Sequence, residues 1–132
     1  MKKNFFHVLT CTVFAFLFSC SNSNSQNVLE PKAFKQKTEQ QPEAVVVDVR
    51  TPAEFAEGHL PGALNIDVKN EAFADKIQEL DSTKIYLLYC RSGSRTQLAA
   101  QIMKQAGFKS IFGMKGGFSD WEEAGYPVEK KD

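Results

Sequence analysis

The residues with the clearest chemical potential lie in one short segment around a cysteine. The segment reads Cys90-Arg91-Ser92-Gly93-Ser94-Arg95-Thr96. Cys90 follows a short apolar run and Ser94 begins a stretch with helical spacing, so a tight turn between a strand and a helix is predicted. The backbone N–H groups of such a turn point inward, and the start of the helix adds donors and a positive dipole end. The segment therefore predicts a cradle for an anion with a thiol at its base.

Two arginines decide how Cys90 is interpreted. A free cysteine is more often a buried structural residue, which is the alternative here. Arg91 and Arg95 place positive charge within five residues of the thiol, and reactive thiolates occur in electropositive, partly exposed surroundings. We therefore predict that Cys90 is the catalytic nucleophile. Backbone amides and charges of the loop are predicted to bind its substrate, from Arg91, Ser92, Gly93, Ser94, Arg95 and Thr96.

The elements that position this loop alternate along the chain. Residues 45–49 (VVVDV) and 85–89 (IYLLY) are apolar runs without period-two alternation, typical of strands buried on both faces of a parallel sheet. Residues 63–66 and 110–113 are weaker strand candidates. Helices are predicted over residues 31–40, from a capping box at Thr51, over residues 71–80 and over residues 94–106. The last of these should bury Leu98, Ala99, Ile102, Met103 and Ala106 and end at Gly107.

This alternation predicts one α/β domain over residues 28–128, a three-layer α/β/α arrangement with an open, mostly parallel central sheet. Ligands of such sheets bind beyond the carboxyl ends of the strands, where Cys90 is placed. Residues 129–132 are predicted to be a charged tail. The full chain of 132 residues balances 16 basic against 16 acidic side chains, which argues against a nucleic-acid partner.

The first nineteen residues have the pattern of a secretory signal peptide. A basic head at Lys2 and Lys3 precedes fourteen mostly apolar residues, whereas about 20 are needed to cross a bilayer as a helix. The end of the stretch, Leu17-Phe18-Ser19-Cys20, resembles the lipobox of bacterial lipoproteins, with Phe18 bulkier than usual. The alternatives are a core helix, or an ordinary cleavage site beside a chance cysteine.

The lipobox resemblance implies that Cys20 is lipidated and that residues 20–27 tether the domain to a membrane. We expect a periplasm-facing lipoprotein of the bacterial cell envelope, with no other membrane contact. The remaining cysteines are Cys11, inside the signal, and Cys90. A domain with one thiol cannot form an internal disulfide, so Cys90 needs another reason to be present.

The sequence of the predicted domain resembles the rhodanese family. The motifs that carry the resemblance are Asp48-Val49-Arg50, Glu54-Phe55, residues 57–65 (EGHLPGALN), the Cys90 loop, Gly116-Gly117 with Trp121, and residues 125–128 (GYPV). The resemblance covers about residues 28–128. It implies a persulfide relay in which Cys90 takes sulfur from a donor such as thiosulfate and passes it to a thiol, sulfite or cyanide. A protein that accepts the sulfur is also compatible with this relay.

The resemblance further implies that Asp48, Arg50 and His59 form a polar network that supports the loop. His59 as a catalytic base is the alternative, but the relay needs no base. We expect no cofactor. We also expect no metal site, because the mature chain would contain one histidine and, besides the lipidated cysteine, one thiol.

Two other functions stay open. A phosphatase or arsenate reductase of the same fold has arginine six positions after its cysteine, whereas here Thr96 occupies that position and Arg95 is the fifth. A binding module or sulfur carrier without turnover is the rival from another class, although modules without activity usually lack the cysteine. A smaller loop fits a single sulfur atom better than a tetrahedral anion.

The lipobox generates the first testable prediction. The parent should partition with the detergent phase in phase-separation experiments, because several acyl chains give stable membrane attachment. Cys20→Ala should accumulate as uncleaved precursor. A parent protein that is freely soluble in the periplasm would contradict lipidation.

Overall fold

The computed structural model describes residues 27–131. The signal peptide, Cys20 and nearly all of the proposed tether lie outside these residues. The elements in chain order are β1 (Asn27–Leu29), α1 (Pro31–Gln40), β2 (Val45–Asp48), α2 (Pro52–Glu57), β3 (Leu64–Asn65), α3 (Phe73–Gln78), β4 (Ile85–Tyr89), α4 (Ser94–Gln105), β5 (Ser110–Met114) and α5 (Gly117–Glu123). Within this part of the chain, no helix is long and apolar enough to span a bilayer.

The five strands form one parallel sheet in the order β1-β5-β4-β2-β3. β4 lies at the centre and alternates its side chains between the two faces. Tyr86 and Leu88 pack with α3 and α4, whereas Leu87 and Tyr89 pack with α1 and α5. Both faces of the strand are therefore buried, which explains its continuous apolar run. The predicted α/β fold with helices on both sides of a parallel sheet is confirmed.

Local signals placed several helix ends correctly. Thr51 and Glu54 form the predicted capping box, with the Thr51 hydroxyl accepting from the Glu54 amide and the Glu54 carboxylate accepting from the Thr51 amide. α4 begins at Ser94 as predicted, and Ala99 and Met103 are buried as predicted. Thr96 and Ala100 are also buried, whereas the predicted Leu98 is 48% exposed and Ala106 is exposed. Packing against the sheet, and not only the number of apolar residues on a face, determines which side of α4 is buried.

The edges of the domain differ from the predicted bounds. β1 has no prediction behind it, and its first residue, Asn27, was assigned to the tether. At the other end, Glu129 exchanges backbone hydrogen bonds of 2.8 Å with His59, so the predicted tail begins with an ordered residue. Three-residue edge strands and isolated bridges carry too few side chains to leave a periodic pattern.

A buried ion pair joins β2 to the segments around it. Arg50 Nη2 lies 2.6 Å from Asp48 Oδ2, and Arg50 Nε donates to both carboxylate oxygens of Asp48. Arg50 Nη2 also donates to the Gly58 carbonyl at 2.6 Å, and the guanidinium lies 4.1 Å from the Phe118 ring centroid. Both charged residues are 0% exposed. Burial acts to lower the pKa of Arg50, but hydrogen bonds and the charge of Asp48 outweigh it and raise that pKa.

Arg50→Met should lower the free energy of unfolding by about 3–5 kcal/mol, because Asp48 would remain buried without its counter-ion. Arg50→Lys should have an intermediate effect, since it keeps the charge and loses the two-pronged contact. Urea denaturation measures both. The matched control is Lys115→Met, which removes an exposed ion pair with Glu30 and should leave stability close to that of the parent. Equal losses in the Arg50→Met and Lys115→Met proteins would contradict this account.

Candidate active site

Cys90 directly follows the central strand β4, at the carboxyl edge of the sheet. Its side chain is only 1% exposed, so the expectation of a partly exposed thiol is wrong. The loop covers it, and the outer residues Arg91, Ser92 and Ser94 are exposed around it. We call these three exposed residues the mouth of the loop.

The loop turns its amides toward the sulfur as the sequence predicted. The Gly93 N–H donates to Cys90 Sγ at 3.0 Å. Gly93 has φ +112°, a backbone conformation that residues with a side chain rarely adopt. It is also the N-cap of α4. This glycine lets the chain turn back over the thiol and enter the helix at once, which directs the helix start at the sulfur.

Opposing influences set the ionisation of Cys90. Burial is the largest and raises the pKa, because it disfavours the charged thiolate. The Thr96 hydroxyl and the amides of Thr96, Gly93 and Ser92 act in the other direction. Together these donors hold the pKa of Cys90 below its ordinary value. The loop thus stabilises negative charge on sulfur in a place from which water is largely excluded.

Thr96 connects the loop to the neighbouring strand β5. Its side chain is buried, and Oγ1 has no hydrogen-bond partner of regular geometry within residues 27–131, so its proton is available to the Cys90 sulfur. A Cβ at Gly113 would lie 3.0 Å from the Thr96 methyl group. The missing side chain at Gly113 therefore leaves the space in which the Thr96 methyl group packs.

A second set of donors holds the base of the loop from α5. The Phe118 N–H donates to the Cys90 carbonyl at 2.7 Å, and the Ser119 N–H donates to the Arg91 carbonyl at 3.2 Å. Gly117 makes this approach feasible, because a Cβ there would lie 2.4 Å from the Cys90 carbonyl oxygen. The sequence analysis noted the Gly116-Gly117 pair only as a family motif. Its contact with the Cys90 loop depends on tertiary structure.

The arginines of the loop differ in their surroundings. Arg95 forms a two-pronged ion pair with Glu54 of α2, with N–O distances of 2.7 and 2.9 Å. The Arg95 hydrogen bond and the Thr51 amide hold the pKa of Glu54 at about 2 against burial, which acts to raise it. Arg91 is exposed and makes no ion pair within the described part of the chain. Binding of a donor anion by Arg95 stays a prediction.

The predicted supporting residues occupy two different places. Asp48 and Arg50 reach the loop indirectly, through the Phe118 ring, whose residue donates to Cys90. His59 makes different contacts. Its Nδ1 lies 2.8 Å from the Phe55 carbonyl oxygen, and its ring stacks on the Phe55 ring. Its Nε2 is 3.8 Å from a carboxylate oxygen of Glu129. These contacts place His59 in the packing between α2 and the C-terminal segment.

The Glu54–Arg95 pair predicts a specific pH dependence. The pKa of Glu54 lies below its ordinary value of 4.5 in the folded state, at about 2, so its stabilising effect is complete above pH 4.5 and is lost toward pH 2. Glu54→Gln should lower stability by about 1 kcal/mol or less at pH 7, while glutamine can keep the capping box. The difference from the parent should shrink between pH 4.5 and 2 in urea titrations.

Glu57→Gln is the matched control, because it removes an exposed carboxylate from the same helix. Any loss of stability in this control variant should not disappear as the pH falls from 4.5 to 2. A Glu54→Gln defect that persists unchanged at pH 2 would show that the ion pair is not its cause.

Comparisons with known proteins identify the family. Residues 30–124 match the family model of the rhodanese-like domain. The chain is 41% identical over 86 residues to a thiosulfate sulfurtransferase GlpE of Pseudomonas putida, covering 65% of this chain and 76% of that protein. It is 28% identical to a sulfurtransferase of Allochromatium vinosum, over 77% of this chain and 94% of that one.

Solved structures agree with this assignment. A rhodanese-related protein of Thermoplasma volcanium superposes with a TM-score of 0.70 at 27% identity, over 80% of this chain and 99% of that chain. A rhodanese-like domain from Anabaena shares the fold with a TM-score of 0.72 at 23% identity, over 80% of each chain. With its parallel sheet, its buried cysteine and the amide loop above it, this chain belongs to the rhodanese-like domain family.

Proposed function

We propose that this protein is a thiosulfate sulfurtransferase that carries sulfane sulfur as a persulfide on Cys90. The observation that carries the proposal is the Gly93 N–H donating to Cys90 Sγ at 3.0 Å, in a loop whose other donors also lower the pKa of that thiol. Relatives named sulfurtransferase and thiosulfate sulfurtransferase support the reaction class and the donor.

The chemistry divides into two displacements at sulfur. The Cys90 thiolate attacks the outer sulfur of thiosulfate, a new S–S bond forms, and sulfite leaves with the electron pair of the old bond. An acceptor thiolate, sulfite or cyanide then attacks the outer sulfur of the Cys90 persulfide. Cys90 leaves as a thiolate, so the enzyme returns to its starting state without an external oxidant or reductant.

The N–H donors of the loop contribute more to stabilising the bound sulfur than to activating the Cys90 thiolate for attack. A lower pKa raises the fraction of thiolate, but it also weakens the nucleophile with a Brønsted slope of about 0.4–0.5, so much of the gain is lost. Preorganised N–H groups in a site shielded from water stabilise charge that develops on sulfur with little reorganisation. We therefore assign the amides of residues 91–96 chiefly to holding the terminal sulfur of the persulfide.

Loop length favours sulfur over phosphate as the transferred group. Arg95 is the fifth residue after Cys90, and its guanidinium is engaged by Glu54. A phosphatase of this fold would need the wider ring given by one more residue, and a free arginine to contact the oxygens of a tetrahedral anion. The described loop lacks that extra residue, and the arginine at its end, Arg95, is engaged by Glu54.

We also propose that the protein acts as a lipoprotein on the periplasmic side of the bacterial envelope. The support is the basic head, the short apolar stretch and Cys20 at the border with a polar segment. The first described residue, Asn27, begins β1 at the edge of the sheet, so a tether would join the domain there.

Treatment of the purified domain with thiosulfate should add about 32 Da, located on Cys90 by peptide mass spectrometry. Cys90→Ser should stay folded, gain no such mass and have no thiosulfate sulfurtransferase activity, because the structure describes no other cysteine. Residual activity within tenfold of the parent would contradict the persulfide mechanism.

Phosphate esters provide the control for the rival enzyme. The parent should hydrolyse aryl phosphates no faster than the uncatalysed background. A robust phosphatase activity that disappears in Cys90→Ser would replace the sulfurtransferase proposal with the rival one.

A further inference from the structure

A cavity of about 250 Å³ opens beside the catalytic loop, between α4 and the edge of the sheet formed by β5 and β1. It exists because α4 packs over β4 and β5, while β1 packs with α1 on the other face. Leu29 of β1 points toward α1, so the neighbouring Val28 points to the uncovered side, where it is 50% exposed. Strand β1 thus extends the sheet beyond the area that α4 covers.

The two long walls of the cavity follow from helix and strand periodicity. Thr96, Ala100 and Lys104 are spaced four residues apart and form one stripe along α4. Ile111 and Gly113 are two apart and lie on the same face of β5. The two stripes consist mostly of small or apolar residues, and the α4 stripe ends in a lysine at the end away from the loop.

The third wall belongs to the catalytic loop itself. Ser92, Gly93 and Ser94 line the cavity, and Gly93 is also the residue whose amide contacts Cys90 Sγ. Ser92 and Ser94 are also exposed at the mouth of the loop, so the cavity adjoins this mouth. A molecule in the cavity therefore lies beside the backbone that covers the reactive sulfur.

The charged residues that line the cavity are both cationic. Lys115 Nζ is held 2.7 Å from Glu30, whereas Lys104 is exposed and forms no ion pair with any described residue. No acidic side chain lines the described cavity. The site therefore complements an occupant with an apolar body and an anionic end.

We propose that this cavity binds the sulfur acceptor, and that the acceptor is a small thiol that carries a carboxylate. The inference rests on the proposed sulfurtransferase function. The thiolate of the acceptor attacks the outer sulfur of the Cys90 persulfide, the Cys90 S–S bond breaks, and Cys90 keeps the electron pair. The proton of the acceptor thiol goes to solvent, and the product is the persulfide of the acceptor. Lys104 holds the carboxylate during this step.

The volume sets the size of the acceptor. A volume of about 250 Å³ is slightly smaller than that of common small-molecule pockets, which measure roughly 300–1,000 Å³. An acceptor of amino-acid or small-peptide size fills such a space, whereas a folded protein does not enter it.

The test separates the two half-reactions. Parent and variants are first loaded to completion with thiosulfate, freed of excess donor and checked for the added sulfur by mass. They are then mixed with 3-mercaptopropionate or with the neutral 2-mercaptoethanol, and loss of the Cys90 persulfide is followed by mass spectrometry. Each rate is divided by the reactivity of the same thiolate toward a small persulfide in solution.

The parent should favour the anionic thiol, and Lys104→Glu should reduce its rate roughly 3- to 10-fold at low salt, as expected for loss and reversal of one exposed contact. The rate with 2-mercaptoethanol should change little. High salt should narrow the difference, because it screens exposed charges. Lys104→Arg should retain most of the preference. Lys109→Glu, the same charge change at an exposed lysine outside the cavity, should behave like the parent.

Failures of the two proposals are distinguishable. If no persulfide forms, the proposed function fails before the acceptor step is reached. If the persulfide forms but the Lys104→Glu and Lys109→Glu proteins lose equal activity with 3-mercaptopropionate, or neither loses any, the cavity is not the acceptor site.

A binding measurement independent of turnover completes the test. The unreactive S-methyl derivative of 3-mercaptopropionate should shift the amide resonances of Gln97, Ala100 and Gly113 in the unloaded parent, and Lys104→Glu should weaken this effect. Shifts confined to other surfaces, or none, would overturn the assignment.

Discussion

One buried guanidinium connects the parts of this protein that have to stay fixed. Arg50 binds the Asp48 carboxylate, the Gly58 carbonyl and the face of the Phe118 ring, and all of these partners belong to different segments. Phe118 in turn donates to the Cys90 carbonyl. Because a buried charge is costly without its partners, the segments are held to one arrangement, and that arrangement sets the base of the Cys90 loop.

The loop is held from two sides by interactions of different strength. At its base, amides of α5 donate to carbonyls of the loop, where Gly117 allows close contact. At its end, Arg95 pairs with Glu54 of α2, near the surface. A partly exposed pair is more sensitive to salt than buried contacts are. The buried contacts therefore hold the base of the loop more firmly than the ion pair holds its outer part.

The cavity beside the loop comes from the way in which the sheet is finished. A β1 strand of three residues extends the sheet on one side, and no described helix covers that extension on the α4 face. Gly93 both donates its N–H to Cys90 Sγ and lines the cavity. The cavity and the surroundings of the thiol therefore share one stretch of backbone, which suits the proposed transfer of one atom between two molecules.

The sequence alone determined the parallel α/β architecture and the position of Cys90, because buried strands, helix caps and the glycine turn leave local patterns. It also placed the loop amides around the thiol, since Gly93 and the start of α4 are adjacent in the chain. Only tertiary structure decided that Cys90 is buried, that Glu54 engages Arg95, that Gly117 meets the loop, and that α4 buries Thr96 and exposes Leu98. These outcomes depend on contacts between residues far apart in sequence, and single-chain periodicity contains no information about which distant surfaces will meet.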